Sequence, residues 1–247
     1  LANASIDQLD ILPSIGFVAE ASDTLSLRGT WSRSIGRPNF REITPVLQQD
    51  HVGGQQFGGN PNLEIAQLEN YDLRLEWMPG KGQLFSAGGF YKDVDDPIDY
   101  AQRQSATSAP FIVPFNFDHG EILGAELELR QNVGQWAEWL DAASRHERLK
   151  WLGLVPFGEW QNWLSDFSIG ANLTFLDATV TVQSYDVDSI TQFIRSAGKD
   201  PDDYNVDERR MKDQPEYILN LYLLYENEDT GTSAGVFWNR KGETLVA

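Results

Sequence analysis

His51, His119 and His146 are the only imidazoles among the 247 residues. A nucleophilic triad or a zinc centre needs such a ring close to a hydroxyl, a carboxylate or a second ring. These three are scattered and no partner stands at a recognisable spacing, so no catalytic histidine is assigned. The acidic runs Asp93-Val94-Asp95-Asp96 and Asp200-Pro201-Asp202-Asp203 offer the hard oxygen ligands that calcium takes. Neither follows the ordered spacing of an EF-hand loop, and a solvated strand end and a solvated loop are the preferred readings. A carboxylate pair for glycoside hydrolysis would have to be picked from 37 acids, which makes any choice arbitrary. His51 to Gly59 is glycine-rich, but it lacks the Lys-Ser/Thr of a phosphate loop and opens no helix. Cysteine is absent, which removes disulfides and thiolate metal sites. The residues thus assign no catalytic group, no metal ligand and no cofactor.

The charges that do stand at regular spacing lie in strands. From Glu69 to Trp77, Tyr71, Leu73, Leu75 and Trp77 share one face, and Asp72, Arg74 and Glu76 the other. Such a strand is either half of a soluble sheet or the wall of a membrane barrel with a wet lumen. The same alternation recurs from Asp10 to Glu20, from Leu25 to Ser32 and from Phe85 to Lys92. It continues at Leu123–Arg130, Phe167–Phe175, Tyr217–Tyr225 and, more weakly, Ala234–Val246. These eight strands are long enough to cross a bilayer at a tilt, which takes roughly 9–11 residues.

Connection lengths alternate as well. The breaks near 21–24, 79–82 and 227–232 are tight, while those near 37–66, 97–119 and 183–214 are long, polar and rich in Gly, Pro, Asn and Asp. Short turns at one end and long loops at the other are the pattern of an outer-membrane barrel. In a soluble sandwich, loops of twenty or thirty residues would be unusual. The exception is residues 134–164, where Trp136, Trp139, Leu140 and Ala143 recur at helical spacing and Arg145-His146-Glu147-Arg148 continues them. Five of the eight tryptophans lie there: Trp136, Trp139, Trp151, Trp160 and Trp163. Tryptophan favours the membrane–water boundary, so an amphipathic helix resting on the near-side interface is expected. A small helix packed on a soluble sheet is the plainer alternative.

Composition sets the outer bounds. A 41% hydrophobic share with 12% aromatics excludes a disordered tail. The net charge of −18 argues against nucleic acid or an anionic lipid surface as the main partner. No apolar run of about 18 residues encodes a transmembrane helix, and no leader pattern is visible. The chain opens at Leu1 and closes at Val246-Ala247 within a strand pattern, so a fragment is the expectation.

Several segments together resemble the C-terminal half of the barrel of TonB-dependent outer-membrane receptors. They are Asp10-Ile11-Leu12-Pro13-Ser14, Trp31 to Glu42 with its Arg37-Pro38-Asn39-Phe40-Arg41-Glu42 end, and Gly59-Asn60-Pro61-Asn62-Leu63 followed by Glu69-Asn70-Tyr71-Asp72-Leu73. Phe90-Tyr91-Lys92-Asp93-Val94-Asp95-Asp96-Pro97-Ile98 and Gly124-Ala125-Glu126-Leu127-Glu128 complete the set, in family order from about residue 9 to 246. Two departures stand out: the insertion at 134–164, and Glu64-Ile65-Ala66-Gln67 where the family more often has Lys-Pro-Glu.

The resemblance implies an all-β, antiparallel transmembrane barrel segment. It would contribute about eight of roughly 22 strands around a plugged lumen, with one short amphipathic helix in the turn insertion. Residues 1–247 would be a partial barrel domain, 134–164 its helical insertion on the periplasmic side, and a plug and a TonB-contacting box would precede Leu1. The implied work is uptake of a scarce extracellular ligand with energy transmitted by TonB, with no covalent step. Outer-membrane lipid, the protein's own plug, the TonB complex and a small ligand are the implied partners. Arg28, Arg74, Glu76, Glu126, Glu128 and Arg130 would line the wet lumen. The long loops would lie outside the cell, the short turns in the periplasm. Phe57, Tyr100, Phe111, Phe115, Phe117 and Tyr204 would offer aromatic surface for a sugar or siderophore. A passive porin and a soluble all-β carbohydrate-binding or hydrolytic module are the alternatives.

Overall fold

The computed structural model describes residues 6–49, 51–103, 110–144, 157–182 and 184–244. Eight long strands form one antiparallel meander: β1 (Ser14–Ser22), β2 (Leu25–Gly36), β5 (Ala66–Trp77), β6 (Leu84–Asp95), β9 (His119–Asn132), β10 (Phe167–Thr181), β12 (Tyr217–Asn227) and β13 (Thr232–Lys241). Each pairs with the next along the chain, and the sheet stays open, with β1 and β13 as its edges. The first strand begins at Ser14, later than the Asp10 suggested by alternation, because residues 10–13 precede the ladder with β2.

The short and long connections segregate to opposite ends. At one end, Gly82 and Gly231 take positive φ values of 75° and 63° in tight turns, a conformation open to glycine without strain. At the other end lie the three long connections, the first two of which carry a second sheet, β3 (Leu47–Gln49), β4 (Gln56–Gly58), β8 (Phe111–Asn116) and β7 (Ile98–Arg103), in that spatial order. They also hold α1 (Phe40–Ile43), α4 (Ser184–Ser196) and β11 (Glu208–Arg210), the last pairing with β10. The loop sheet and α4 add to the expected strands. The loop strands are only three to six residues long and carry no long alternation from which to read them.

The 134–164 insertion contains two helices, α2 (Val133–Ser144) and α3 (Phe157–Leu164), packed on each other. The expected Arg145–Arg148 continuation and Trp151 lie outside the described residues. Gln135 Nε2 donates to the carbonyl of Lys81 at 2.5 Å, which ties α2 to the β5–β6 turn. The insertion therefore sits at the short-turn end. No described helix is long and apolar enough to cross a membrane, which leaves strands unaddressed.

Most buried apolar side chains lie at the loop end. Phe57, Leu63, Ile65, Ala66, Val94, Ile112, Val113, Phe117, Ala178 and Val180 are all buried where the loop sheet meets the strand ends. Along the strands the apolar side chains stand exposed instead: Leu73, Leu75, Leu127, Phe175 and Leu223 are each between 42% and 54% exposed. They share one face, because the pairings Leu75–Ala87, Ala87–Leu127 and Leu127–Leu173 carry the same parity from β5 to β10.

Candidate functional site

The loop end is organised around Glu42. Asn39 caps α1: its Oδ1 accepts from Glu42 N at 3.0 Å, while Glu42 Oε2 accepts from Asn39 N at 2.8 Å. This capping box satisfies two otherwise orphaned N–H groups. It also fixes the buried Glu42 carboxylate so that its second oxygen accepts from the Tyr100 hydroxyl. Burial, and then the Glu42 acceptor, push the Tyr100 phenol well above its ordinary pKa, so it remains a donor.

Beside it Asp99, 5% exposed, accepts from Tyr100 N at 2.8 Å and Lys212 N at 3.2 Å and pairs with Arg209 at 2.9 Å. Arg209 also donates to the Tyr100 carbonyl at 3.1 Å. Each long loop thus supplies a part: Glu42 from the first, Asp99 and Tyr100 from the second, Arg209 and Lys212 from the third. A cavity of about 340 Å³ opens here, lined by Arg41, Glu42, Gln56, Phe57, Tyr100 and Lys212 among others. Arg41 lies 4.5 Å from the Phe57 ring and Lys212 4.5 Å from the Tyr100 ring. Such contacts suit desolvated cation–aromatic pairing.

The segment Gly59-Asn60-Pro61-Asn62 has a local physical role in this arrangement. A Cβ on Gly59 would stand 1.9 Å from the Thr44 carbonyl oxygen, so only glycine fits. Asn60 Nδ2 donates to the Pro114 carbonyl at 3.1 Å, and its Oδ1 accepts from Asn62 N at 3.0 Å. Asn116 Nδ2 then bridges the Glu64 and Asp96 carbonyls at 3.1 and 2.8 Å. The second loop begins at Asp96 with φ of 52°; burial, Glu64, Asp95 and Asp118 all raise its carboxyl pKa.

The expected loop aromatics separate into two groups. Phe57 and Phe117 are 9% and 5% exposed, and Arg209 covers the Phe117 ring at 4.7 Å. Both pack the loop sheet, and Phe57 also borders the cavity. Phe111 packs over Gly58, and Arg103 lies 4.5 Å from the half-buried Phe115 ring. Tyr100 lines the cavity, while Tyr204 stands 44% exposed with Lys199 over its ring. Glu42, Asp99, Arg209 and Lys212 are the functional candidates that sequence reading missed. Only Glu42 had a local signal, the Asn-x-x-Glu spacing of a capping box.

The six charged strand residues meet on the face opposite the exposed apolar one. Glu76 takes Arg28 and Arg74, both at 2.9 Å. Arg74 also reaches Glu128 at 2.6 Å and Glu126 at 4.0 Å, and Glu128 takes Arg130 at 3.3 Å. Arg28 and Arg74 stand directly opposite in the ladder, an unfavourable pairing that the shared Glu76 offsets. Arg74 crosses β6 because Ser86 and Gly88 between them are small. The network holds three cations and three anions.

On the apolar face, aromatics gather in two rows. Tyr71 and Tyr91 lie 6.2 Å apart near the loop end, with Trp31 paired to Tyr71. Trp77 stacks on Phe85 at 5.1 Å near the turn end, where Trp163, Phe167 and Tyr225 form a chain at 5.0 and 4.9 Å. From Tyr71 to Trp77 the strand runs about 20 Å at ~3.3 Å per residue, which a barrel tilt of about 40° reduces to roughly 15 Å of depth between the two rows.

Comparison with known proteins gives these features a family. A stretch of 71 residues is 34% identical to the vitamin B12 transporter BtuB of Photobacterium profundum, covering 28% of this chain and 11% of that protein. The copper transporter OprC superposes with a TM-score of 0.51 at 15% identity, over 92% of this chain and 25% of OprC. The siderophore receptor PirA of Pseudomonas aeruginosa gives a TM-score of 0.45 at 16% identity, over 92% of this chain and 34% of PirA. The chain thus spans about a third or less of each of these proteins. The family described as TonB dependent receptor-like, beta-barrel, matches residues 2–246. The chain belongs to the β-barrel family of TonB-dependent outer-membrane receptors.

Proposed function

We propose that this chain is part of the wall and outer cover of an active-transport receptor that binds a scarce extracellular ligand and imports it with TonB-transmitted energy. The observation that carries this reading is the convergence of all three long loops on Asp99, Tyr100 and Glu42 around one cavity. Loops tied to each other in this way can close on a ligand and report its presence to the strands beneath. The exposed apolar face meets lipid, with the aromatic rows at its two boundaries. The Arg28–Glu76–Arg74–Glu128–Arg130 face lines the lumen with Glu126 and meets the plug. The loop end faces outward, and the short turns with α2 and α3 face the periplasm. Of the expected aromatics, Tyr100, Phe111, Phe115 and Tyr204 remain ligand candidates. Phe57 supports Tyr100 at 6.0 Å, and Phe117 supports the loop sheet.

The relatives suggest what to test: a corrinoid vitamin, a copper ion and an iron siderophore. Uptake of each is measured in receptor-deficient cells carrying the intact protein, with and without functional TonB. The account expects uptake of one of them, or of another small ligand, that disappears without TonB and falls when Tyr100→Ala is introduced at normal surface abundance. Uptake equal in both backgrounds would instead identify a passive pore.

A further inference from the structure

On the apolar-face parity, two residues beyond Tyr91 along β6, the ladder brings Asp93 and Asp95 against Glu121 and His119 of β9. The carboxylates of Asp93 and Asp95 and a ring nitrogen of His119 lie within 4.8 Å of one another. His119 Nδ1 is 3.4 Å from Asp93 Oδ1, and that oxygen is closed to solvent with no hydrogen-bond partner. On the other side of the ring, Nε2 faces Glu121 Oε1 at 3.4 Å, and the same oxygen accepts from the Tyr91 hydroxyl at 3.1 Å. Two oxygens and one nitrogen therefore converge, and a carboxylate stands on the far ring nitrogen. That arrangement is the one in which a metal-bound imidazole donates its other N–H to a second carboxylate.

We propose that Asp93, Asp95 and His119 bind a divalent transition-metal ion of the zinc type, with Glu121 orienting the imidazole and Tyr91 orienting Glu121. One nitrogen with two carboxylates suits such an ion better than magnesium or calcium, which favour all-oxygen sets. A modest inward movement of the carboxylates reaches the spacing set by metal bonds of about 2.0–2.2 Å. The surrounding charge favours a cation, since Glu69 pairs in the ladder with Asp93 and Glu121 stands opposite it, while Arg33 is engaged by Glu69. The ion has a structural consequence. Asp95 and His119 are the last paired residues before the loop that carries Tyr100, so a bound metal clamps the base of that loop. Sequence reading could not pair the 93–96 acids with a histidine more than twenty residues away; the ladder does so.

The test uses the intact receptor in detergent micelles at neutral pH, titrated calorimetrically with Zn²⁺ alone. The expected result is one site that weakens at least about tenfold in His119→Ala and by a similar factor in Glu121→Gln, as loss of an orienting carboxylate does. His51→Ala is the control and leaves binding unchanged. With Cu²⁺ as probe, electron paramagnetic resonance should show a nitrogen ligand that His119→Ala removes while the circular dichroism spectrum is retained. Absence of the site in the wild type, or Zn²⁺ binding indifferent to His119→Ala, would overturn the proposal. Calcium displacing zinc at equal concentration would overturn it too.

Discussion

Replacing Leu127 by Arg separates a lipid-facing sheet from a water-facing one. Leu127 lies mid-strand on β9 between Ala87 and Leu173, is 49% exposed in the isolated chain, and belongs to the continuous apolar face. If that face meets hydrocarbon, Arg at this depth costs about 2–4 kcal/mol, a roughly 30- to 700-fold loss in the folding equilibrium. If the face meets water, an exposed Leu-to-Arg change away from special features stays within about 0.5 kcal/mol. The control sits on the adjacent strand and the opposite face: Thr174→Arg places a cation across from Glu126 and should cost less than about 0.5 kcal/mol. The assay is urea unfolding of the receptor refolded into phosphatidylcholine vesicles, followed by tryptophan fluorescence. A Leu127→Arg cost no larger than that of Thr174→Arg would refute the assignment of faces.

Other substitutions probe the site. Arg74→Met leaves three glutamates for two arginines and should cost roughly 1–2 kcal/mol, between values for exposed and buried pairs; adding Glu128→Gln should recover most of it in the same urea assay. Gly59→Ala drives a Cβ into the Thr44 carbonyl, so the loop sheet should become protease-sensitive while the strands stay folded. Asp96→Asn removes a carboxylate whose folded pKa is raised, and Asn tolerates the positive φ. A raised carboxyl pKa means the wild type gains stability as pH falls through it. The variant should therefore be more stable at pH 7, and its advantage should fade towards acid, measured as melting temperature against pH.

The long strands were legible because a half-wet sheet imposes period two, and because turns and loops of unequal length mark its two ends. Leu123–Arg130 reads as a strand from its own residues alone. The loop sheet was not legible, since β3 and β4 are three residues each and join the sheet only through the pairing of β4 with β8 more than 50 residues on, Gln56 with Phe111. The charged strand residues could be placed on one face by parity. Their pairing could not, because it depends on Arg74 passing over Gly88 to a strand reached only after a long loop. The loop aromatics showed the limit of composition: Phe57 and Tyr204 look alike in sequence, yet one is buried in the sheet and the other is exposed.

The most direct test of the central claim uses the absence of cysteine from these 247 residues, with any cysteine elsewhere in the receptor replaced by serine. Nitroxide labels are placed one at a time on neighbouring pairs, Asp72 and Leu73, Glu126 and Leu127, Leu173 and Thr174, with the receptor in lipid bilayers. The account predicts that Leu73, Leu127 and Leu173 are relaxed by dissolved oxygen, whereas Asp72, Glu126 and Thr174 are relaxed by a water-soluble nickel chelate. Equal access of the nickel chelate to both members of each pair would contradict it.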